Sequence, residues 1–207
     1  MGKTTVAAEL MKLEPRFRFI RSATTRQPRG DGNDAEYIYL GKDSFMNLVN
    51  NGDMLEYTEF GGNFYGTPDS EIERILGEGN IPLLILDING VVSLKSIERS
   101  FGVCTVYIYD ELNVMEQRLY DRELAVSPSA DALSRFVKRK TANMNDYFRL
   151  PTVVDNFDSM IKNENPETTA KLALSAFIQT IQNQPKDMAK MEKIAKNLKS
   201  RAEEKIG

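Results

Sequence analysis

Two apolar runs, Ile81–Leu86 and Val103–Tyr109, limit the folds open to this chain more than any other feature. Each is short and nearly continuous, and the first stops at Asp87. Runs of this kind read as strands buried on both faces of a parallel sheet. Around them, strand-like and helix-like stretches alternate. Phe17–Arg21, Tyr37–Leu40, Met54–Phe60, Gly62–Tyr65 and Met160-Ile161 read as strands. Thr5–Leu13, Lys42–Asn51, Val91–Arg99, Ser129–Tyr147 and Pro166–Gln182 read as helices. Gly52 ends the second helix, Thr67-Pro68 offers an N-cap and first-turn proline for a helix to Leu76, and Asp110 a cap for a helix to Arg122. Ser22 to Asn33, with Pro28, Gly30 and Gly32, reads as a loop. The expected class is α/β around a parallel sheet.

The chain of 207 residues suits one domain with a substantial core. A net charge of −3 offers no general basic field for nucleic acid, so any arginine cluster acts locally. The absence of histidine excludes Ser-His-Asp chemistry and argues against a zinc site. Cys104 is the one cysteine and has no partner for an internal disulfide. No apolar run approaches the ~20 residues of a membrane span. A soluble, cytosolic protein without a membrane or nucleic-acid partner is expected. After Pro185, residues Met188, Met191, Ile194, Leu198 and Ala202 recur at helical spacing, so 183–207 reads as an amphipathic helical tail packed on the body.

Gly2-Lys3-Thr4-Thr5 looks like the second half of the phosphate loop G-x-x-x-x-G-K-[ST]. In that motif backbone N–H groups cradle phosphates, the lysine reaches the terminal ones and the hydroxyl meets Mg²⁺. The front of the loop and its feeding strand would lie before Met1. The expectation is therefore that the biological chain starts roughly a dozen residues earlier. Without a central strand, lost bonds at ~1 kcal/mol each and lost aliphatic burial at ~1.5–3 kcal/mol each would rival a domain's whole stability.

Further on, Ser22-Ala23-Thr24-Thr25-Arg26-Gln27-Pro28-Arg29 sets two guanidiniums around a proline. Arginine forks match phosphate oxygens bidentately. Tyr37, Glu56 and Tyr65-Gly66-Thr67 follow.

In these stretches, with Met54–Phe60, Gly62–Thr67 and Ile85–Ile88, the chain resembles the guanylate kinase family, in order, from Gly2 to about residue 180. The resemblance implies a P-loop kinase three-layer α/β fold over residues 1–182. It would hold a small GMP-binding subdomain at about 22–68 and a helical lid at about 118–150. It implies transfer of the γ-phosphoryl group of ATP to GMP, with Mg²⁺. Ser22, Arg26, Arg29, Tyr37 and Tyr65 match residues that hold the GMP phosphate. Glu56, Thr67 and Asp87 match those that read guanine, whose N1–H and N2–H₂ donors suit carboxylates. Gly2, Lys3, Thr4 and Thr5 match the donor side, with Thr4 on the metal, and Asn163 matches a position near adenine. Lys3, Arg26 and Arg29 would place positive charge on the migrating group. Arg122 matches the first lid arginine, while Arg135 and Arg139, four residues apart, both suit the second.

The chain departs from the pattern in places. The loop after Arg29 is short, so the family's acidic residue falls at best on Asp31. Asn89-Gly90 replaces a longer segment after Asp87, and Phe148–Asn156 reads as an insertion. A partner-binding module without catalysis, and a kinase for another phosphorylated acceptor, are the competing readings. The retained Lys3, Arg26, Arg29 and Glu56 favour an enzyme.

Overall fold

The computed structural model describes residues 2–28, 37–60, 62–96, 102–125 and 129–205. Arg29 and Asp31 lie outside the described residues. The chain divides into two compact units, Met11–Ile97 and Met1–Leu10 with Glu98–Gly207.

In Met11–Ile97 the main feature is a four-stranded sheet. Its strands are β2 (Ser22–Thr24), β3 (Tyr37–Tyr39), β4 (Met54–Phe60) and β5 (Asn63–Pro68), in the order β3-β2-β5-β4. β2 pairs parallel with β3 and antiparallel with β5, which pairs antiparallel with β4. Side chains alternate across a strand with period 2. Ala23, Ile38 and Phe64 accordingly pack with Phe45, Met54 and Leu48 in an apolar cluster under the sheet. Phe45 and Leu48 belong to helix α2 (Lys42–Asn51), which ends at Gly52 with φ 77°. Only glycine adopts that left-handed conformation without steric cost.

The same unit holds a parallel pair, β1 (Phe17–Phe19) with β6 (Ile81–Leu83). Helix α3 (Asp69–Gly77) packs on β6, and α4 (Ile88–Lys95) on β4. Under α3, the carboxylate of Glu71 is 5 % exposed and receives both Arg21 (2.6 Å) and Arg74 (3.2 Å).

Three expectations are corrected here. Ser22–Thr24 is a strand inside the expected loop, because its backbone completes ladders on both sides. The strand at Ile81 is three residues long and half-buried, since among the described residues β1 is its one ladder partner. Thr67 is not an N-cap: it is fully buried in β5, and Pro68 holds the cap position.

Helix α1 (Lys3–Leu13) opens the chain, with its residues to Leu10 assigned to the other unit. A second parallel pair joins β7 (Val106–Tyr109) to β8 (Ser159–Lys162). Helix α5 (Leu112–Tyr120) runs into a π-helical turn, Asp121–Ala125. The long α6 (Ala130–Val153) follows, capped by Ser129, whose hydroxyl accepts from the Ala132 N–H. Phe148–Asn156 continues α6 through Pro151 into a single 3-10 turn. Asp110 does not cap α5. It is buried, its carboxylate taking Arg118 at 2.6 Å, and Glu111 holds the cap position.

Helix α7 (Pro166–Ile181) is capped by Asn165 and packs on β8. Helix α8 (Met188–Glu204) sets Met191, Ala195, Leu198 and Ala202 inward and packs along α6. Arg201 pairs with Glu111 on the same side of the unit, and Lys205 bridges to Glu116 at 2.8 Å. No described helix is long and apolar enough to cross a membrane.

Candidate functional site

The face of the four-stranded sheet opposite the apolar cluster carries the polar and aromatic positions. Cross-strand pairs Ser22↔Tyr37, Thr24↔Tyr39, Thr24↔Tyr65, Thr58↔Tyr65 and Glu56↔Thr67 place these residues on one face.

At one end sits Arg26. Its position is set from β2: the Thr24 hydroxyl accepts from the Arg26 N–H at 3.1 Å and donates to the Phe64 carbonyl at 2.9 Å. The guanidinium lies 5.2 Å from the Tyr37 ring centre and 5.8 Å from that of Tyr39. Such cation–π contacts hold a guanidinium without consuming its donors. Nη2 donates weakly to the Tyr39 hydroxyl at 3.4 Å, whereas Nη1 is buried with no hydrogen-bond partner among the described residues. A buried N–H without an acceptor is costly, and an anion is the natural relief. Tyr65 meets Tyr37 edge-on at 6.5 Å and closes this aromatic socket.

Two residues along β5 from Tyr65, the Thr67 hydroxyl donates to Glu56 Oε1 at 2.8 Å. Burial pushes the Glu56 carboxyl above its ordinary range; Thr67 pulls it back, and the charge of Asp87 pushes it further up. Asp87 itself caps α4, its Oδ1 accepting from the Gly90 N–H at 2.8 Å. Gly66 lies between Tyr65 and Thr67 because nothing larger fits. A Cβ there would stand 2.8 Å from the Glu56 carbonyl oxygen and 3.2 Å from Phe45 Cζ.

The structure thus brings Ser22, Arg26, Tyr37, Glu56, Tyr65, Thr67 and Asp87 into one unit. Tyr39 was missed in the sequence, although its spacing of two from Tyr37 puts both rings on one face.

In the other unit, Gly2 precedes α1 with φ +67°, and a Cβ there would meet Asn163 Nδ2 at 2.8 Å. Asn163 is buried, its Oδ1 accepting from the Thr169 hydroxyl at 3.1 Å. The first turn of α1 carries no acidic residue; Thr4 and Thr5 are exposed there and Lys3 is half-buried. The positive end of the helix dipole is therefore not neutralised within the helix, as anion binding requires. The exposed Thr4 hydroxyl is a hard oxygen donor compatible with Mg²⁺.

Arg122, Arg135 and Arg139 also come together, around Glu123 (3.1, 3.0 and 3.2 Å). Arg135 foremost holds that carboxyl below its ordinary range. No periodicity or spacing singled out Glu123.

A family model described as guanylate kinase matches residues 1–181. A guanylate kinase of Chlorobium luteolum is 30 % identical over 185 residues, covering 87 % of this chain and 89 % of that one. One of Ruegeria pomeroyi is 26 % identical over 199 residues, with 91 % and 92 % covered. The crystal structure of guanylate kinase from Anaplasma phagocytophilum aligns with a TM-score of 0.56 at 25 % identity, covering 89 % of this chain and 84 % of that one.

Proposed function

The chain belongs to the guanylate kinase family, and we propose that it transfers the γ-phosphoryl group of ATP to GMP, releasing ADP and GDP. One observation carries the reading. A single sheet face holds a buried Arg26 donor, without a partner among the described residues, at one end and the Glu56–Thr67 acceptor pair at the other. A nucleoside monophosphate with donors on its base matches that polarity.

In this reading Ser22, Arg26, Arg29, Tyr37 and Tyr65 hold the GMP phosphate. Arg26 Nη1 donates to it, and the tyrosines fix the guanidinium plane. Glu56 accepts from guanine N1–H and N2–H₂, with Thr67 orienting its carboxylate and Asp87 alongside. Adenine lacks those donors. A site of this kind rejects such an analogue by ~10⁴-fold, because its acceptor would stay buried and unpaired.

On the donor side, Gly2, Lys3, Thr4 and Thr5 would receive the ATP phosphates at the α1 N-terminus, with Asn163 close by. Thr4 would ligate Mg²⁺, which when bound neutralises phosphate charge. A GMP phosphate oxygen then attacks the γ-phosphorus as the bond to the ADP oxygen breaks. Phosphoryl transfer needs alignment and positive charge more than covalent assistance. Lys3, Arg122, Arg135 and Arg139 supply that charge, the arginines from a lid. The mild acidity and single cysteine suit a cytosolic enzyme.

An ADP-release assay with GMP, dGMP, AMP and a phosphorylated sugar as acceptors tests this. GMP should turn over and AMP should not. A folded protein that turns over no acceptor would favour the partner-binding module; turnover of a sugar phosphate in preference to GMP would favour the other kinase reading.

A further inference from the structure

The arginines around Glu123 show an asymmetry. The Glu123 side chain is 9 % exposed, whereas those of Arg122, Arg135 and Arg139 are 57, 55 and 53 % exposed. One covered carboxylate therefore sits beneath three solvent-facing guanidiniums. All three approach it through Nε, Arg122 and Arg139 at Oε1 and Arg135 at Oε2. Among the described residues no other partner takes their Nη groups. Each of the three side chains is more than half exposed, and the planar Nη1/Nη2 ends of a guanidinium match phosphate oxygens.

Three like charges this close repel one another and would splay apart without a counter-charge. Arg135 and Arg139 are neighbours on one face of α6, while Arg122 and Glu123 lie on the π-helical turn. Glu123 thus pins that turn to α6 and gathers the arginines from both. π-helical turns are rare and occur frequently at functional sites. Three guanidiniums against one carboxylate leave an excess of positive charge, suited to a polyphosphate.

We propose that Glu123 is a positioning residue: an ion-paired hub that gathers Arg122, Arg135 and Arg139 by Nε into one polyphosphate-binding cluster before the nucleotide arrives. This rests on the guanylate kinase reading for the identity of the polyphosphate, the donor nucleotide. Glu123 touches no substrate and acts through the arginines. It lowers the cost of collecting three mobile side chains at the moment of binding.

The test uses the full chain and Glu123→Gln, which keeps shape and removes charge, with Glu123→Asp as the charge-keeping control. Tripolyphosphate binding by calorimetry gives a readout independent of turnover. Steady-state kinetics with ATP and GMP gives the second. Glu123→Gln should bind tripolyphosphate ~10-fold more weakly and show kcat ~10–100-fold lower, with KM for GMP unchanged within ~2-fold. Glu123→Asp should fall between it and the parent in both. If circular dichroism shows Glu123→Gln unfolded, the Asp variant decides: weaker tripolyphosphate binding supports the hub, and parental binding overturns it. Glu123→Gln that matches the parent, or binds tripolyphosphate more tightly, overturns the proposal; the tighter case would make Glu123 a competitor of phosphate. A parent that binds tripolyphosphate but never phosphorylates GMP, with the Gln variant still weaker in binding, sinks the kinase reading and leaves the hub standing.

Discussion

Glu56 and Glu71 are carboxylates in the same unit with opposite electrostatics. Glu56 is half-buried beside one hydroxyl and near Asp87, so folding favours its protonated form. A group raised in this way supports the fold at acid pH, and the support is lost as pH rises through its folded pKa. Glu56→Gln should therefore leave the ligand-free protein at least as stable at pH 7. It replaces a charged acceptor by an amide whose NH₂ can face the guanine donors, so KM for GMP should rise ~10–100-fold, about 1.5–3 kcal/mol for a charged hydrogen bond. Thermal unfolding set beside steady-state kinetics checks both halves. Glu71 is pulled down to about 2 by hydrogen bonds, chiefly from Arg21 and then from Arg74, against its ordinary 4.5. Its contribution is complete above the unfolded value and disappears as pH falls from 4.5 towards about 2. Acid titration of unfolding free energy should show that loss in the parent and a flatter profile in Glu71→Gln. The variant should lie about 1.5–3 kcal/mol lower at pH 7, through the charge-assisted bonds it loses. Of these two residues, Glu56 was legible from sequence as part of a motif. Glu71 was not, because its ion pair with Arg21 joins positions far apart in the chain.

At the scale of elements, strands and helices with their own punctuation were legible and tertiary partnerships were not. Lys42–Asn51 was readable to the residue because Gly52 ends it with a left-handed backbone. Thr67-Pro68 misled because a helix cap and the end of a strand share the same residue types. What decides is Glu56, which takes the Thr67 hydroxyl into the sheet. The strand Ser22–Thr24 was hidden by the polar residues that follow it and by partners, Tyr37–Tyr39 and Tyr65-Gly66, that lie well downstream. Of the candidate site, the motif residues could be named in advance; the Arg26–Tyr39 stack and the Glu123 cluster depend on packing that no local pattern records. Gly66→Ala tests how tightly β4 and β5 are matched. A Cβ at 2.8 Å from the Glu56 carbonyl must push the strands apart, so unfolding free energy should drop by ~1–3 kcal/mol and KM for GMP should rise. Unchanged values for both would mean that the pair yields more easily than its geometry implies.

For the molecule as a whole, the amphipathic tail behaves as part of the Met1–Leu10 and Glu98–Gly207 unit, since α8 buries one face along α6. Leu198→Ala should lower unfolding free energy by ~2–5 kcal/mol, measured by urea titration, while KM for GMP stays put because Leu198 and the sheet face belong to different units. A loss under ~0.5 kcal/mol, the scale of surface substitutions, would contradict this burial. The order of synthesis gives α8 a further meaning. α6 leaves the ribosome before the helix that covers it, and α8 follows every other described element. A nascent chain that has not reached Met188–Glu204 leaves bare the part of α6 that α8 covers. During synthesis, therefore, this part of α6 stays uncovered until α8 has been made.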